Sequence, residues 1–307
     1  MTQKKNIDDH YKSRTTHDLV SIIMPAYNGE TFIKEAIDSV LCQNYKNIEL
    51  IIVNDASTDT TATIVKEYLK LDSRVKYFYN RTNKGIAITS NKAIKKSSGR
   101  YIHFLDQDDL LMPNCIESLL SLFKQSPDDV KLIYGDIYLY YGKHKKKTIN
   151  RLAPPIKKPS LFLQFLKNNP IVPCGCMVES EALRSVGMFD TNYKLDHDYN
   201  LWHRLIKKYN IRKINKAIAY YRIHEKQNSK DTKTLQIYKN KVLKEYVDGL
   251  NLDEFNPSEI DNTVLVLLQK KQKPFELVLK LLRFNQNRSF SDQRKRIIEK
   301  VTLLYDN

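Results

Sequence analysis

No stretch of this 307-residue chain is long and apolar enough to cross a membrane as a helix. The first eighteen residues, MTQKKNIDDHYKSRTTHD, lack the apolar centre of a secretory signal and read as a loose lead. Cysteine is scarce: Cys42, Cys115, Cys174 and Cys176 are too few for a disulfide scaffold. Cys174-Gly-Cys176 has the wrong spacing for a zinc knuckle, and no second pair follows. Internal repeats and low-complexity tracts are missing as well. These absences predict a cytoplasmic protein with reduced thiols, with room for peripheral contact at the inner face of an anionic membrane. Acidic residues are missing from GKHKKKTINRLAPPIKK, residues 142–158, which hold seven Lys/Arg within a chain of net charge +16. Such charge suits nucleic acid, an anionic membrane or an acidic substrate. Residues 231–307, with fourteen Lys/Arg against eleven Asp/Glu, are nearly balanced. The uneven charge predicts a local basic patch beside a working site, and no nucleic acid as partner.

What is present is alternation. Apolar runs at 20–24, 48–53, 74–79, 101–105 and 130–134 predict strands. Periodic segments at 31–42, 57–71, 86–96 and 113–124 predict the helices between them. Ser57-Thr58-Asp59 can cap the second helix, and Ser98-Gly99 stops the third. Strands alternating with helices imply an α/β fold with a mostly parallel sheet covered on both faces. The middle is less regular. It predicts helices near 160–167, 180–186 and 196–209, and strands at 173–178 and 217–223. After about Asp231 the pattern is purely helical, with stripes at 264–268 and 277–282. In such sheets ligands gather at the carboxyl ends of the strands, where Asn28, Asp55 and Asp106 fall.

One stretch poses a problem in electrostatics. In YIHFLDQDD, residues 101–109, a buried strand ends in Asp106, Asp108 and Asp109. Like charges this close repel, and desolvating them costs several kcal/mol each without compensation. Hard cations such as Mg2+ and Mn2+ take oxygen ligands and share them with a diphosphate. The plain structural alternative is a solvated acidic turn capping the helix at Pro113. It suits Asp109 alone better than the trio.

Four segments together resemble the inverting nucleotide-sugar glycosyltransferases of family 2, which have the GT-A Rossmann-like fold. They are VSIIMPAYNGETFIKEAIDSVLCQ, IELIIVNDASTDTT, NKGIAITSNKAIKKSSGRYIHFLDQDD and LDHDYNLWHRL. The likeness runs from about Val20 to Ser229, and the four segments come in the family's order and spacing. The resemblance makes Asp108 the direct metal ligand, with Asp106 nearer the ribose and the metal's water shell. It assigns Pro25, Ala26, Tyr27, Asn28, Asp55 and Gln107 to the nucleotide-sugar. It lays Asn83 and Lys84 along the donor, although Asn-Lys-Gly also fits a plain turn. It places the catalytic base at Asp198, with His197 where the family usually has Glu; Asp196 can share the role or cap the helix. Arg222 and His224 match a segment that closes over the diphosphate, Arg222 for phosphate and His224 for the metal. A surface histidine at a strand end is the alternative. Trp202 reads as core, and Asn91 as structural.

The resemblance implies a metal-dependent enzyme moving a hexosyl or N-acetylhexosaminyl group from a UDP-sugar to a lipid-linked or polymeric surface-glycan acceptor. Two rivals stand beside it. One is a non-catalytic polyanion-binding protein on a degenerate GT-A fold, which the charge alone supports. The other is a nucleotidyltransferase, which would need a glycine-rich basic loop where this chain has PAYNGE. The domain reading is a lead at 1–18, a catalytic domain at 19–230 and a helical extension at 231–307. The catalytic domain divides into a nucleotide-sugar and metal half at 19–136 and an acceptor half at 137–230. The extension's broad apolar stripes must pack on the protein, on a second copy as a homodimer, or on a membrane.

Overall fold

The computed structural model describes residues 18–141, 148–150, 161, 165–166, 169–225, 227 and 232–248. The chain divides into two compact units, Met1–Pro154 with Ile171–Lys230, and Pro155–Pro170 with Asp231–Asn307. In the first unit β1 (Val20–Ala26), β2 (Ile48–Asn54), β3 (Val75–Tyr79) and β4 (Tyr101–Phe104) run parallel in the order β3-β2-β1-β4. The helices α1 (Ile33–Leu41), α2 (Thr61–Leu71) and α3 (Ile86–Lys96) link them. Every residue of β2 is buried, because a parallel strand is covered on both faces.

Beyond β4 the sheet changes direction. β8 (Cys176–Glu179) is antiparallel to β4 and to β6 (Val130–Tyr140). β9 (Asn210–Arg222) runs parallel to β6, and β5 (Leu110–Leu111) is antiparallel to β9. β7 (Thr148–Asn150) hangs from the far end of β6. The helices here are α4 (Cys115–Lys124), α5 (Ser180–Ser185) and α6 (His197–Lys208). The expected strand at 217–223 begins instead at Asn210. Its first half, NIRKINK, is too polar to show as a strand, and the register slips against β6 at Gly135 and Asp136. The expected strand at 173–178 is shorter, because Pro173–Gly175 forms a 3-10 turn first. β5 escapes any periodicity argument, since two residues have no period.

The base of the sheet is held by a buried carboxylate. Glu49 accepts from Ser21 Oγ at 2.5 Å, from Lys76 Nζ at 2.5 Å and from Ser98 N at 2.7 Å. Burial pushes its proton affinity up, but these donors more than offset that and the net shift is downward. Gly99 closes the knot. A Cβ there would meet Leu19 O and Ser21 N at 2.7 Å.

In the second unit α7 (Thr232–Asp248) buries Val242, Leu243 and Tyr246. Leu161, Phe165 and Leu166 are helical and buried, within the helix expected near 160–167. The stripes at 264–268 and 277–282, and with them the homodimer reading, lie outside the described residues. So do the lead at 1–17 and the lysine-rich segment 142–158 apart from β7. Among the described residues no helix is long and apolar enough to cross a membrane.

Candidate active site

The carboxyl ends of β1, β2 and β4 meet at one edge of the sheet. After β1 the chain turns through Asn28, whose φ of 49° is in the left-handed region that asparagine tolerates. This loop is laced to the loop after β2. Asn28 N–H donates to Ser57 Oγ at 2.9 Å, and Thr58 N–H donates to Asn28 Oδ1 at 2.9 Å. Asp59 accepts Glu30 N–H at 3.0 Å and Thr61 N–H at 3.0 Å, which joins loop binding to capping of α2. Pro25 is half-buried and Ala26 buried, while the Tyr27 ring stands 47% exposed.

Gln107 ties this loop to the end of β4. Its Oε1 accepts Tyr27 N–H at 2.9 Å and its Nε2 donates to Tyr27 O at 2.8 Å. The amide fits only because residue 29 is glycine, where a Cβ would lie 2.1 Å from Gln107 Oε1. Gln107, expected among the substrate-binding residues, is therefore first a brace.

Asp55 is buried at the end of β2. Its carboxylate accepts Asn80 Nδ2 at 2.7 Å, Lys84 N–H at 2.9 Å and Gly85 N–H at 2.8 Å. It thus folds the Asn80–Gly85 turn over the strand ends. The Asn83 and Lys84 side chains are exposed at that turn. A nucleobase N–H at Asp55 would have to share an oxygen that already has a partner. Asn91 is structural, pairing its amide with Phe189 N and O at 3.0 and 2.7 Å.

The acidic cluster follows β4. One oxygen from each of Asp106, Asp108 and Asp109 falls within 4.8 Å of the others. Burial first, then the charges of Asp108 and Asp198, push the Asp106 carboxyl up to about 7. Burial first, then the charges of Asp108 and Asp106, raise the Asp109 carboxyl well above its ordinary value, although it accepts Arg222 N–H at 2.9 Å. Three carboxylates this close together repel one another, and a divalent cation would relieve that repulsion. The donor set is carboxylate oxygen with one imidazole beside it, which fits Mg2+ or Mn2+.

That imidazole is His224, whose Nε2 lies 2.8 Å from Asp108 Oδ2 and whose ring packs 4.8 Å from Phe32. Arg222 arrives on the same strand end but serves differently from the expectation. Its side chain is 5% exposed. Its Nε donates to Asp108 O at 2.7 Å and its Nη2 pairs with Glu35 at 3.0 Å. The guanidinium is held between Phe32 at 4.6 Å and Tyr140 at 4.8 Å. A phosphate would have to displace these partners. Glu35, Phe32 and Tyr140 carry no motif of their own, and only their convergence on Arg222 marks them.

The remaining carboxylates come from α6. Asp196 precedes the helix with φ 54°, and its carbonyl accepts Asn200 N–H at 3.0 Å. Asp198 lies in the first turn, where the helix N-terminus favours an anion. It is near enough to Asp106 for its charge to raise that carboxyl. His197 packs its ring 5.2 Å from Phe189. Trp202 is fully buried, donates to Ile171 O at 3.1 Å and packs edge-on to Phe104, as expected of core. The sheet therefore brings Asp106, Asp108, His224 and Asp198 into one neighbourhood, with Tyr27 and Lys84 along the edge.

An α/β sheet with a carboxylate cluster at its β4 end is the frame of the GT-A fold, and solved structures share it. The chain is similar to Staphylococcus aureus TarS residues 1–349 in complex with UDP-GlcNAc (TM-score 0.62, 17% identity, 94% of this chain and 91% of that one). It is also similar to a Pyrobaculum calidifontis mannosyltransferase in complex with GDP-Man and Mn2+ (TM-score 0.59, 16% identity, 93% and 80%). At such identities the likeness speaks for the GT-A fold alone. Residues 21–187 match the family model described as Glycosyl transferase family 2, and the chain belongs to that family. An uncharacterized glycosyltransferase of Rickettsia typhi is 34% identical over 226 residues, 71% of this chain and 68% of that protein. The Escherichia coli UDP-Glc:alpha-D-GlcNAc-diphosphoundecaprenol beta-1,3-glucosyltransferase WfgD is 36% identical over 64% of this chain and 73% of its own. The Bacillus subtilis minor teichoic acid biosynthesis protein GgaB is 30% identical over 68% of this chain. The chain spans only 23% of GgaB and 35% of a related Rickettsia conorii glycosyltransferase.

Proposed function

We propose that the protein is an inverting, metal-dependent glycosyltransferase. Its donor is a UDP-sugar carrying a hexosyl or N-acetylhexosaminyl group. Its acceptor is a hydroxyl of a lipid-linked or polymeric surface glycan. The observation that carries this reading is the cluster of Asp106, Asp108 and Asp109 after β4, with carboxylate oxygens within 4.8 Å of one another, inside the stretch that matches the family model. A base and a cation site converge from opposite halves of the sheet. Relatives add support: WfgD is named for a UDP-glucose donor and a diphospholipid acceptor, and GgaB for teichoic acid biosynthesis.

The chain's own residues divide the work. Tyr27 and the Asn83–Lys84 turn border the nucleotide, with Asn28 and Gln107 holding that border in shape. Asp106 and Asp108, with His224 beside them, would hold Mn2+ or Mg2+. A divalent ion there supplies Lewis-acid stabilisation of the departing diphosphate. Asp198 removes the proton of the attacking acceptor hydroxyl, and inversion requires it to act from the face opposite the leaving group. Asp196 fixes the start of α6 and so the aim of Asp198. A donor that is a charged diphosphate places the reaction in the cytoplasm, and the basic chain favours the inner face of an anionic membrane.

The test is nucleotide release across UDP-, GDP- and dTDP-sugars with Mn2+ and with EDTA. Release from a UDP-sugar that EDTA abolishes is expected. UDP binding without metal dependence, and no release from any donor, would favour a non-catalytic polyanion-binding protein.

A further inference from the structure

The acidic segment Asp106–Asp109 is a tight turn between two strands. Asp109 N–H donates to Asp106 O at 3.2 Å and closes it. β4 leads in and β5 leads out, and β5 is fixed on two sides. It pairs with β9 through Leu110 opposite Tyr220 and Leu111 opposite Ala219. Leu111 N–H also donates to Ser39 Oγ on α1 at 3.1 Å. The turn itself is gripped by one residue at the end of β9. Arg222 N–H donates to Asp109 Oδ1 at 2.9 Å, and Arg222 Nε donates to Asp108 O at 2.7 Å. A peptide group is planar, so a grip on the Asp108 oxygen fixes ψ at Asp108. The direction in which the Asp108 carboxylate leaves the turn is then fixed as well.

That grip depends on how the guanidinium is placed. The Arg222 side chain is 5% exposed and lies between Phe32 at 4.6 Å and Tyr140 at 4.8 Å. The two rings hold it in place, and Nη2 donates to Glu35 Oε2 on α1 at 3.0 Å. Among the described residues Glu35 is the one carboxylate within ion-pair distance of this guanidinium. Glu35 is itself 57% exposed, so the pair adds little to stability. Its effect is on direction. A guanidinium is a rigid planar fork. A carboxylate on Nη2 therefore sets the line along which Nε meets the Asp108 oxygen.

We propose that Glu35 is a positioning residue for the metal loop: through Arg222 it fixes the aim of Asp108. The proposal rests on the metal-dependent transferase reading and adds a residue of α1 to its site. Glu35 touches neither the metal nor the donor in this role. Its loss leaves the carboxylates in place and lets the Asp108 peptide turn.

The experiment uses the full chain and Mn2+ alone, with free Mn2+ counted by EPR. Glu35→Ala should weaken Mn2+ binding about ten-fold, the effect of losing a hydrogen bond to a charged group. Glu35→Gln keeps an acceptor at the same reach and should restore most of the affinity. Glu117→Ala, which removes an exposed acid from α4, should bind as the wild type does and so excludes a general charge effect. Alanine at a residue as exposed as Glu35 opens no cavity, so the variant should fold. A merely structural role would lower its urea midpoint and leave the Mn2+ affinity of the folded protein unchanged. That result overturns the proposal. So does tighter binding of UDP by Glu35→Ala in EDTA, which would make Arg222 a phosphate ligand that Glu35 only covers. A wild type that binds no Mn2+, alone or with UDP, loses the metal-dependent reading and this role with it. If Glu35→Ala weakens Mn2+ as expected but no donor sugar is cleaved by the wild type, the transferase reading alone is lost.

Discussion

At the scale of the residue, neighbouring carboxylates in DQDD have different fates. Asp108 faces His224, while Asp109 is turned inward onto the Arg222 N–H. Asparagine at 109 keeps an oxygen for that N–H. At 108 it removes an anionic ligand. Asp108→Asn should therefore lose nearly all transfer and Asp109→Asn much less, as initial rates at saturating Mn2+ will show. Asp198→Asn should keep nucleotide binding and lose turnover by roughly 10²–10⁴-fold, the usual worth of a general base. If Asp196→Asn is the inactive variant instead, the base is two residues earlier. A third residue governs acid stability. His103, fully buried in β4, is pushed down to about 3 from an ordinary 6.5 by burial, with the Cys174 backbone offsetting part of the shift. The neutral ring is the folded form, so its contribution is whole above pH 6.5. It is lost as the unfolded chain takes up the proton between 6.5 and 3. At pH 5 the loss is about 2 kcal/mol. His103→Asn should flatten the fall in urea midpoint between pH 7 and pH 5. An unchanged slope would place the acid sensitivity elsewhere, with His203 the next candidate, since burial depresses it too.

At the scale of the element, the site depends on strand ends held to each other by short polar splices rather than by apolar packing. Gln107 joins β4 to β1, Asp55 joins β2 to the turn before α3, and Arg222 joins β9 to α1 through Glu35. The opposite end of the sheet has its own splice at Glu49 and Gly99. There a methyl group meets backbone on two sides at 2.7 Å, and backbone cannot step aside as a flexible side chain can. Gly99→Ala should cost about 1–3 kcal/mol by overpacking, read as a lower midpoint in chemical denaturation at unchanged slope. The acidic loop proposed to hold the metal is at the far end of β4, so Mn2+ affinity of the folded variant should stay close to that of the wild type.

At the scale of the whole molecule, charge is the dominant feature. A chain of net charge +16 has no acid between residues 142 and 158. That segment follows β6. Each cation near an anionic bilayer contributes about 1 kcal/mol, fading within a Debye length of ~10 Å. Changing Lys145, Lys146 and Lys147 together to Ser should weaken binding to vesicles containing phosphatidylglycerol and raise the KM for a lipid-linked acceptor. The difference from the wild type should shrink as salt rises. Equal vesicle binding at low salt would make the segment a solvated charge run with no part in acceptor capture.

The sequence alone determined the parallel half of the sheet, because its strands are short, largely apolar runs separated by helix-periodic segments, the third of which is stopped by Ser98-Gly99. It also determined the acid-rich end of β4, since carboxylates after a buried strand demand a counter-charge wherever the chain folds. Tertiary structure alone decided what stands around those acids. β9 was legible only from Ala217 onward, because its first half is polar and is held in place by β6. Arg222 read as a phosphate ligand because a cation near a diphosphate motif has one obvious partner in sequence. Folding supplied nearer ones in Glu35, Phe32 and Tyr140, which are 187, 190 and 82 positions away in the chain. The stacking of Tyr138 on Tyr220 at 5.5 Å had no sequence signal at all. Tyr138 and Tyr220 become neighbours only through the register of two strands, and register is a property of the folded sheet.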